Sequence, residues 1–326
     1  MLLSRVAESV YWTGRYLERV EAAARLVKVH TELFIDLPMS AGVGWAPLLL
    51  VTGTADDFGE RHESEPSEED VVAFLTIDED NSGSIMSSLN AARLNLRITR
   101  DQFPPAVWEE LNQLYLWAAD NAEMAVERRH RSRWTSDVIR RCQLLTGLLA
   151  DAISHDEVHS FLEVGRFIER ADMTTRVLDV QAGVLLGADA DAGGDALRPY
   201  SDVTWKSVLE SLGARHAYHR SMRSGVSGRG ALRFLLRNPQ FPRSVEHSLT
   251  RVSRALLELP AYEEPMAGCA AVEAFLQDAV PGEVGPLQLH EFVDELQRRL
   301  AEVHDLVAAA YFQVATPAAE ETLALA

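Results

Sequence analysis

The chain has 326 residues, 49 of them acidic against 31 Lys and Arg, for a formal net charge of −18 at pH 7. A chain this long buries roughly three quarters of its unfolded surface and needs no metal or disulfide to fold; 47% hydrophobic and 25% charged residues exclude a disordered polymer. The acidity argues against nucleic acid and against an anionic membrane surface as partners, since both call for a basic face.

Helical periodicity dominates from the start. From Leu2 to about Asp36 there is no Pro, and Val6, Val10, Leu17, Val20, Ala24 and Val27 recur at three- and four-residue steps. A break is expected over Pro38 to Gly44, then a short apolar segment, Trp45 to Val51, stopped at Gly53. Thr54 to Pro66 reads as loop. Ser67 opens a helix with acids in its first turn. Ser84 to Arg100, a helix after Pro104-Pro105, His130 to Ala152 and Glu157 to Leu186 follow. Gly187 to Pro199 reads as a linker. Val203–Leu212, Ala231–Leu236, Arg243–Leu259, Val272–Gln277 and Leu287–Phe312 complete the series. No alternating run bounded by turn signals reads as a strand, so an all-α chain of about eleven helices is expected.

The cysteines, Cys142 and Cys269, form neither a disulfide framework nor a zinc knuckle, which suits a reducing compartment. No apolar run approaches the roughly 20 residues of a membrane span. Met1 to Arg5 leads straight into the first helix rather than reading as a signal peptide. A cytoplasmic protein is expected.

The informative feature is a self-match. Gly14-Arg15-Tyr16-Leu17-Glu18-Arg19-Val20-Glu21 returns as Gly165-Arg166-Phe167-Ile168-Glu169-Arg170-Ala171-Asp172, and Arg25 finds Arg176. Trp45, Leu49 and Gly53 correspond to Trp205, Leu209 and Gly213. Phe74-Leu75, Ser84-Ile85 and Ser88-Leu89 correspond to Phe234-Leu235, Ser244-Val245 and Ser248-Leu249. The blocks keep their order, so residues 1–326 read as one domain of two diverged copies, about 1–149 and 150–326, around a pseudo-twofold axis.

On the first helix, Ser4, Glu8, Tyr11, Arg15, Glu18, Ala22 and Arg25 share one face; His155, His159, Leu162, Arg166, Glu169, Met173 and Arg176 repeat it. Arg15 with Glu18, and Arg166 with Glu169, stand three residues apart, a spacing that allows pairing within each helix. Two readings compete. One is an internal ion-pair network joining the halves. The other is a cleft in which Arg15, Arg25, Arg166 and Arg176 clamp an anion while Glu8, Glu18 and Glu169 act as acid, base or Mg²⁺ ligands. His155 and His159 have metal-ligand spacing but lack an evident third ligand. Arg243 and Ser244, at a helix start, form a possible anion site beside the alternative of a rigid Pro-rich turn. Arg93 and Arg97, with Arg100, make a basic strip suited to substrate or partner contact.

The opening Leu3-Ser4-Arg5-Val6-Ala7-Glu8-Ser9-Val10-Tyr11-Trp12-Thr13-Gly14-Arg15-Tyr16-Leu17-Glu18-Arg19 resembles the start of the bacterial alpha-E family. The block Phe161 to Asp172, and Phe234-Leu235 followed by Phe241-Pro242-Arg243-Ser244-Val245, resemble it too. So does Ala92 to Arg97, with Leu94 where an acid is expected. The resemblance implies an all-helical fold encoded beside, or fused to, a circularly permuted ATP-grasp protein, often with a transglutaminase-like protein nearby. That context implies a helical subunit of an amide- or peptide-bond-forming system, with the ATP-grasp partner on a separate chain and an anionic small molecule or peptide as ligand. The alternatives are an enzyme in its own right, working through its Glu residues, and a structural scaffold.

Overall fold

The computed structural model describes residues 2–36, 44–190, 201–222, 225–278 and 286–312. Among them are fifteen α-helices and one 3₁₀ turn, with no strand. In chain order the helices are α1 (Ser4–Asp36), α2 (Ala46–Thr52), α3 (Ala55–Arg61), α4 (Glu68–Thr76), α5 (Ile85–Ile98), α6 (Pro105–Asp120), α7 (Ala122–Val126) and α8 (Arg128–Asp151), then α9 (Glu157–Ala190), α10 (Ser201–Ser211), α11 (Arg215–Ser221), α12 (Gly228–Arg237), α13 (Val245–Leu256), α14 (Glu263–Asp278) and α15 (Pro286–Tyr311). No described helix is long and apolar enough to cross a membrane.

Local signals set many boundaries. Ser67, Ser84, Ser227 and Ser244 each accept the backbone N–H three residues on, closing the N-termini of α4, α5, α12 and α13. Gly53 and Gly213 end α2 and α10 in the left-handed region, at φ 70° and 61°.

Several elements differ from the expectation. The stretch expected as loop, Thr54 to Pro66, contains α3, because buried Phe58 docks edge-on against Phe74 and supplies the tertiary contact that seven residues lack alone. The short α11 is held likewise by fully buried Tyr218 against Phe234. The helix expected from Val272 begins at Glu263, and α9 runs through Ala190 into the expected linker. The rest of that linker, 191–199, and most of the break after Asp36 lie outside the described residues.

The long helices α1 and α9 form the centre and run side by side in the same direction. Tyr11 and Gly14 meet Leu162 and Gly165, and farther along Leu26 and His30 share a small cavity with Val177 and Val180. The backbones touch at the start of this pairing. A Cβ on Gly14 would overlap the Leu162 carbonyl oxygen and stand 3.0 Å from the Arg166 nitrogen. One on Gly165 would overlap the Tyr11 carbonyl oxygen and stand 2.9 Å from its carbon. Only glycine admits so close an approach. Around this pair, α5 and α8 pack on α1, and α13 and α15 pack on α9. The short helices cross over: α2 packs on α9, and α10 on α1.

Candidate functional site: a buried arginine and glutamate lattice

The approach of α1 to α9 brings their polar lines into the interior. Glu18 and Glu169 are 3% and 1% exposed, so each needs a full set of partners. Glu169 takes them from α1. Arg15 Nε donates to its Oε2 at 2.6 Å, Arg19 Nε to its Oε1 at 2.6 Å, and Arg19 Nη2 to its Oε2 at 3.1 Å. Glu18 takes them from α9 and the start of α13. Arg170 donates through Nε (2.8 Å) and Nη2 (2.5 Å), Arg243 through Nη1 (2.5 Å), and the Arg166 guanidinium lies at 3.5 Å.

The pairing therefore runs between the helices. Arg15 pairs with Glu169 rather than Glu18, and Arg166 lies against Glu18 and, at 3.7 Å, Glu163 rather than Glu169. This corrects the spacing argument: residues three apart share a face, but that face is pressed against the other helix, where a buried carboxylate finds a guanidinium head-on. Arg19 and Arg170 were not singled out by that argument, yet each chelates a glutamate from the opposite helix. The signal was present in the sequence, since a Glu-Arg dipeptide recurs in the two matched blocks.

Further residues extend the lattice. Glu21 accepts from Arg25 (3.0 and 2.8 Å) and from Arg243 Nη2 (2.8 Å). Asp172 accepts from Arg176 at 2.9 Å. Arg251 donates to Glu163. The outer arginines also cross over: Arg176 lies beside Gly53 at the end of α2, and Arg25 beside Gly213 at the end of α10. Both positions place a cation at a helix C-terminus, where the dipole favours it.

The electrostatics follow from these contacts. Burial by itself would raise the Glu18 carboxyl; the Arg170 and Arg243 guanidinium groups overcome it and hold it far below the usual carboxylate range. Burial likewise opposes ionisation of Glu169, but Arg19 and Arg15 bring it down to about 2. Both are anions at neutral pH, so neither is poised as a general acid or base, whose useful range lies near the working pH. Tyr11, beside Arg15, is pushed up to about 12 by burial and hydrogen-bonds His304 at 2.7 Å.

Eight arginines (Arg15, Arg19, Arg25, Arg166, Arg170, Arg176, Arg243, Arg251) meet five carboxylates (Glu18, Glu21, Glu163, Glu169, Asp172). The surplus sits at the rim, where the Arg176 and Arg251 side chains are 33% and 39% exposed and water can solvate them. In place of the anion that the cleft reading puts among these arginines, Glu21, Glu163 and Asp172 supply carboxylates from the chain itself. Among the described residues, a crevice of about 20 Å³ lies beside Glu18, Glu163 and Arg166, room for about one water. With guanidinium on the oxygens of Glu18 and Glu169, a Mg²⁺ ion would have to displace hydrogen bonds to reach them. No group of three His, Cys, Asp or Glu side chains among the described residues is arranged to hold a metal, and His155 and His159 stack on each other at 4.0 Å.

The other expected site residues lie apart. Glu8 is exposed and does not bring a third carboxylate. Arg93 donates to Asn112 at 2.7 Å with its guanidinium over Trp108 and Tyr115, and Arg97 is exposed. Ser244 is fully buried, accepts from the His247 N–H at 3.1 Å and donates to the Asn238 carbonyl at 2.5 Å. It is a helix cap, and Arg243 beside it points inward onto Glu18 and Glu21, so the helix-start anion site is spent on the protein's own groups.

A family model described as a predicted alpha-helical domain with a conserved ER motif, named Alpha-E, matches residues 2–312. The chain belongs to the Alpha-E family. The Glu-Arg dipeptides 18–19 and 169–170 of this Alpha-E chain are the ones that meet at the centre of its lattice. Among curated proteins it is similar to uncharacterized proteins of Mycobacterium bovis and Mycobacterium tuberculosis, each 24% identical over 329 residues. The match covers 92% of this chain but 32% of each relative, so the chain spans about a third of their length. No solved structure matches.

Proposed function

We propose that this Alpha-E chain is an assembly subunit, not itself catalytic, of an ATP-grasp-linked amide- or peptide-bond-forming system. We further infer that it consists of two diverged copies of one helical unit. The ATP-grasp link rests on the family resemblance; the observation that supports the non-catalytic part is that Glu18 and Glu169 are held ionised by two to three arginines each, with space for about one water beside Glu18. Such a lattice locks two halves together; it offers no free carboxylate to a substrate. The duplication is supported by reciprocal contacts: Gly14 against Leu162 and Gly165 against Tyr11, Arg176 beside Gly53 and Arg25 beside Gly213. Each contact is its partner's counterpart with the halves exchanged. The starts of α3, α4 and α5 also recur 160 residues later as those of α11, α12 and α13. In the mycobacterial relatives the matching part shares a chain with twice its length of other sequence, as expected of a part that works beside other domains.

The test is reconstitution. The chain and an ATP-grasp protein from the same cell are purified separately and mixed, and phosphate release from ATP is followed with glutamate or short acidic peptides as acceptors, with Mg²⁺. The chain alone should release none and should bind the ATP-grasp protein. ATP-dependent turnover by the chain alone would overturn the non-catalytic reading, and failure of the two proteins to associate would overturn the partner.

A further inference from the structure

The two proposed copies differ most in charge. Residues 54–80 carry eleven acidic side chains against one arginine, Arg61. Their counterparts, 214–240, carry six arginines and two histidines and no acid. In a chain of net charge −18 this is a sharp local reversal. The frames are alike: Phe58 of α3 meets Phe74 of α4 edge-on at 5.2 Å, and Tyr218 of α11 meets Phe234 of α12 edge-on at 5.6 Å.

Inside these frames one exchange opens a groove. In the first lobe, Arg61 spans the gap after α3. Its Nη1 pairs with Asp78 at 3.5 Å, its Nη2 donates to the Asp80 carbonyl at 2.8 Å, and its guanidinium lies over the Phe74 ring. In the second lobe the corresponding positions are Ser221, Asn238 and Gln240. Both the cation and its acids are replaced by small or neutral polar groups. What remains is a half-open groove of about 310 Å³, lined by His216, Arg220, Ser221, Phe234, Asn238 and Gln240. Arg220 is exposed, as is Arg233 on α12, and neither has an ion-pair partner among the described residues. Asn238 Oδ1 is engaged by the backbone N–H groups of Gln240 (2.9 Å) and Phe241 (3.0 Å), which orients its amide and leaves the NH₂ as a donor.

We propose that this groove docks an acidic polypeptide segment, a partner's Asp or Glu carboxylate pairing with Arg220 while Asn238, Gln240 and Ser221 supply neutral hydrogen bonds. A carboxylate suits donors of this kind, and the Phe234 ring supplies an apolar floor for the stem of the side chain. A long polyanion such as nucleic acid would meet the repulsion of the remaining acidic surface, whereas a short acidic segment touches only this lobe. The inference rests on the duplicated frame described above and is independent of the ATP-grasp link.

The experiment uses the full chain and a fluorescein-labelled oligo-glutamate peptide, read by fluorescence polarisation at rising salt, with the oligo-glutamine peptide as control. The glutamate peptide should bind, weaken with salt and ignore Arg129→Glu, an exposed change outside the groove. Arg220→Glu, whose melt should match wild type, should weaken binding by about tenfold or more. No binding by wild type, equal binding of the glutamine peptide, or insensitivity to Arg220→Glu overturns the proposal. So does displacement of the peptide by pyrophosphate at lower concentration than by free peptide, which would mark a phosphate site. Concentration-dependent self-association abolished by Asp57→Lys would put a second copy of this chain in the groove and overturn it equally.

Discussion

Replacing Glu18 with Gln separates a structural lattice from a catalytic one. The substitution keeps shape and volume, so it opens no cavity, and its effect is electrostatic. It removes the negative charge that Arg170 chelates at 2.8 and 2.5 Å, that Arg243 reaches at 2.5 Å and that Arg166 faces at 3.5 Å. Glutamine also turns an NH₂ toward a guanidinium, donor against donor. Arg243 is left with Glu21 and Arg166 with Glu163, which Arg25 and Arg251 already occupy, while Arg170 loses the carboxylate it chelates. Removing one side of a buried ion pair costs about 3–5 kcal/mol. With an unfolding entropy of roughly 2.1 cal/mol/K per residue, this chain should lose about 4–7 °C in Tm. Calorimetry and urea unfolding of Glu18→Gln measure this, with Glu8→Gln, on the exposed part of the same helix, expected within about 0.5 kcal/mol of wild type. A Glu18→Gln melt at or above wild type would refute the reasoning. Strained functional carboxylates commonly gain stability when neutralised.

Gly165→Ala should lower Tm although alanine favours a helix by about 1 kcal/mol, because its Cβ would stand 2.9 Å from the Tyr11 carbonyl carbon and 3.2 Å from the Tyr11 ring. The double change with Gly14→Ala should cost less than the sum in calorimetry, since one intrusion already parts the helices; a raised Tm would contradict the backbone contact. Ser244→Ala should cost about 1–2 kcal/mol in urea unfolding through loss of the α13 cap, and no measurable loss would show the cap to be dispensable. Acid should act in two windows. His30, brought by burial from 6.5 to about 4, stays neutral when folded while the unfolded chain takes up a proton, so stability falls as pH drops from about 6.5 toward 4. Glu169, at about 2 against an ordinary 4.5, contributes fully above 4.5 and loses that contribution as pH falls toward 2. Urea unfolding from pH 7 to pH 3 reads both, and the upper slope should flatten in His30→Gln.

The helical class, the long helices, the Ser67 start and the Gly53 stop lay open in the sequence because they depend on short-range chemistry: apolar residues at three- and four-residue steps, serine before a helix, glycine after one. The matched blocks likewise marked Glu18 and Glu169, with Arg15, Arg25, Arg166 and Arg176, as one polar line, but passed over Arg19 and Arg170. Three short helices, α3, α7 and α11, were not legible; α3 and α11 are each held by an aromatic ring, Phe58 or Tyr218, docking on a residue sixteen positions away in sequence. Which arginine meets which glutamate was also beyond sequence spacing. Arg15 stands three residues from Glu18 but is bonded to Glu169, 154 residues away, because two glycines let the helix backbones touch and turn both polar lines inward. That contact, and with it the conversion of an apparent anion cleft into a lattice of the protein's own charges, is a property of the packed helices, since a buried charge pairs with whatever opposite charge the packing brings within reach.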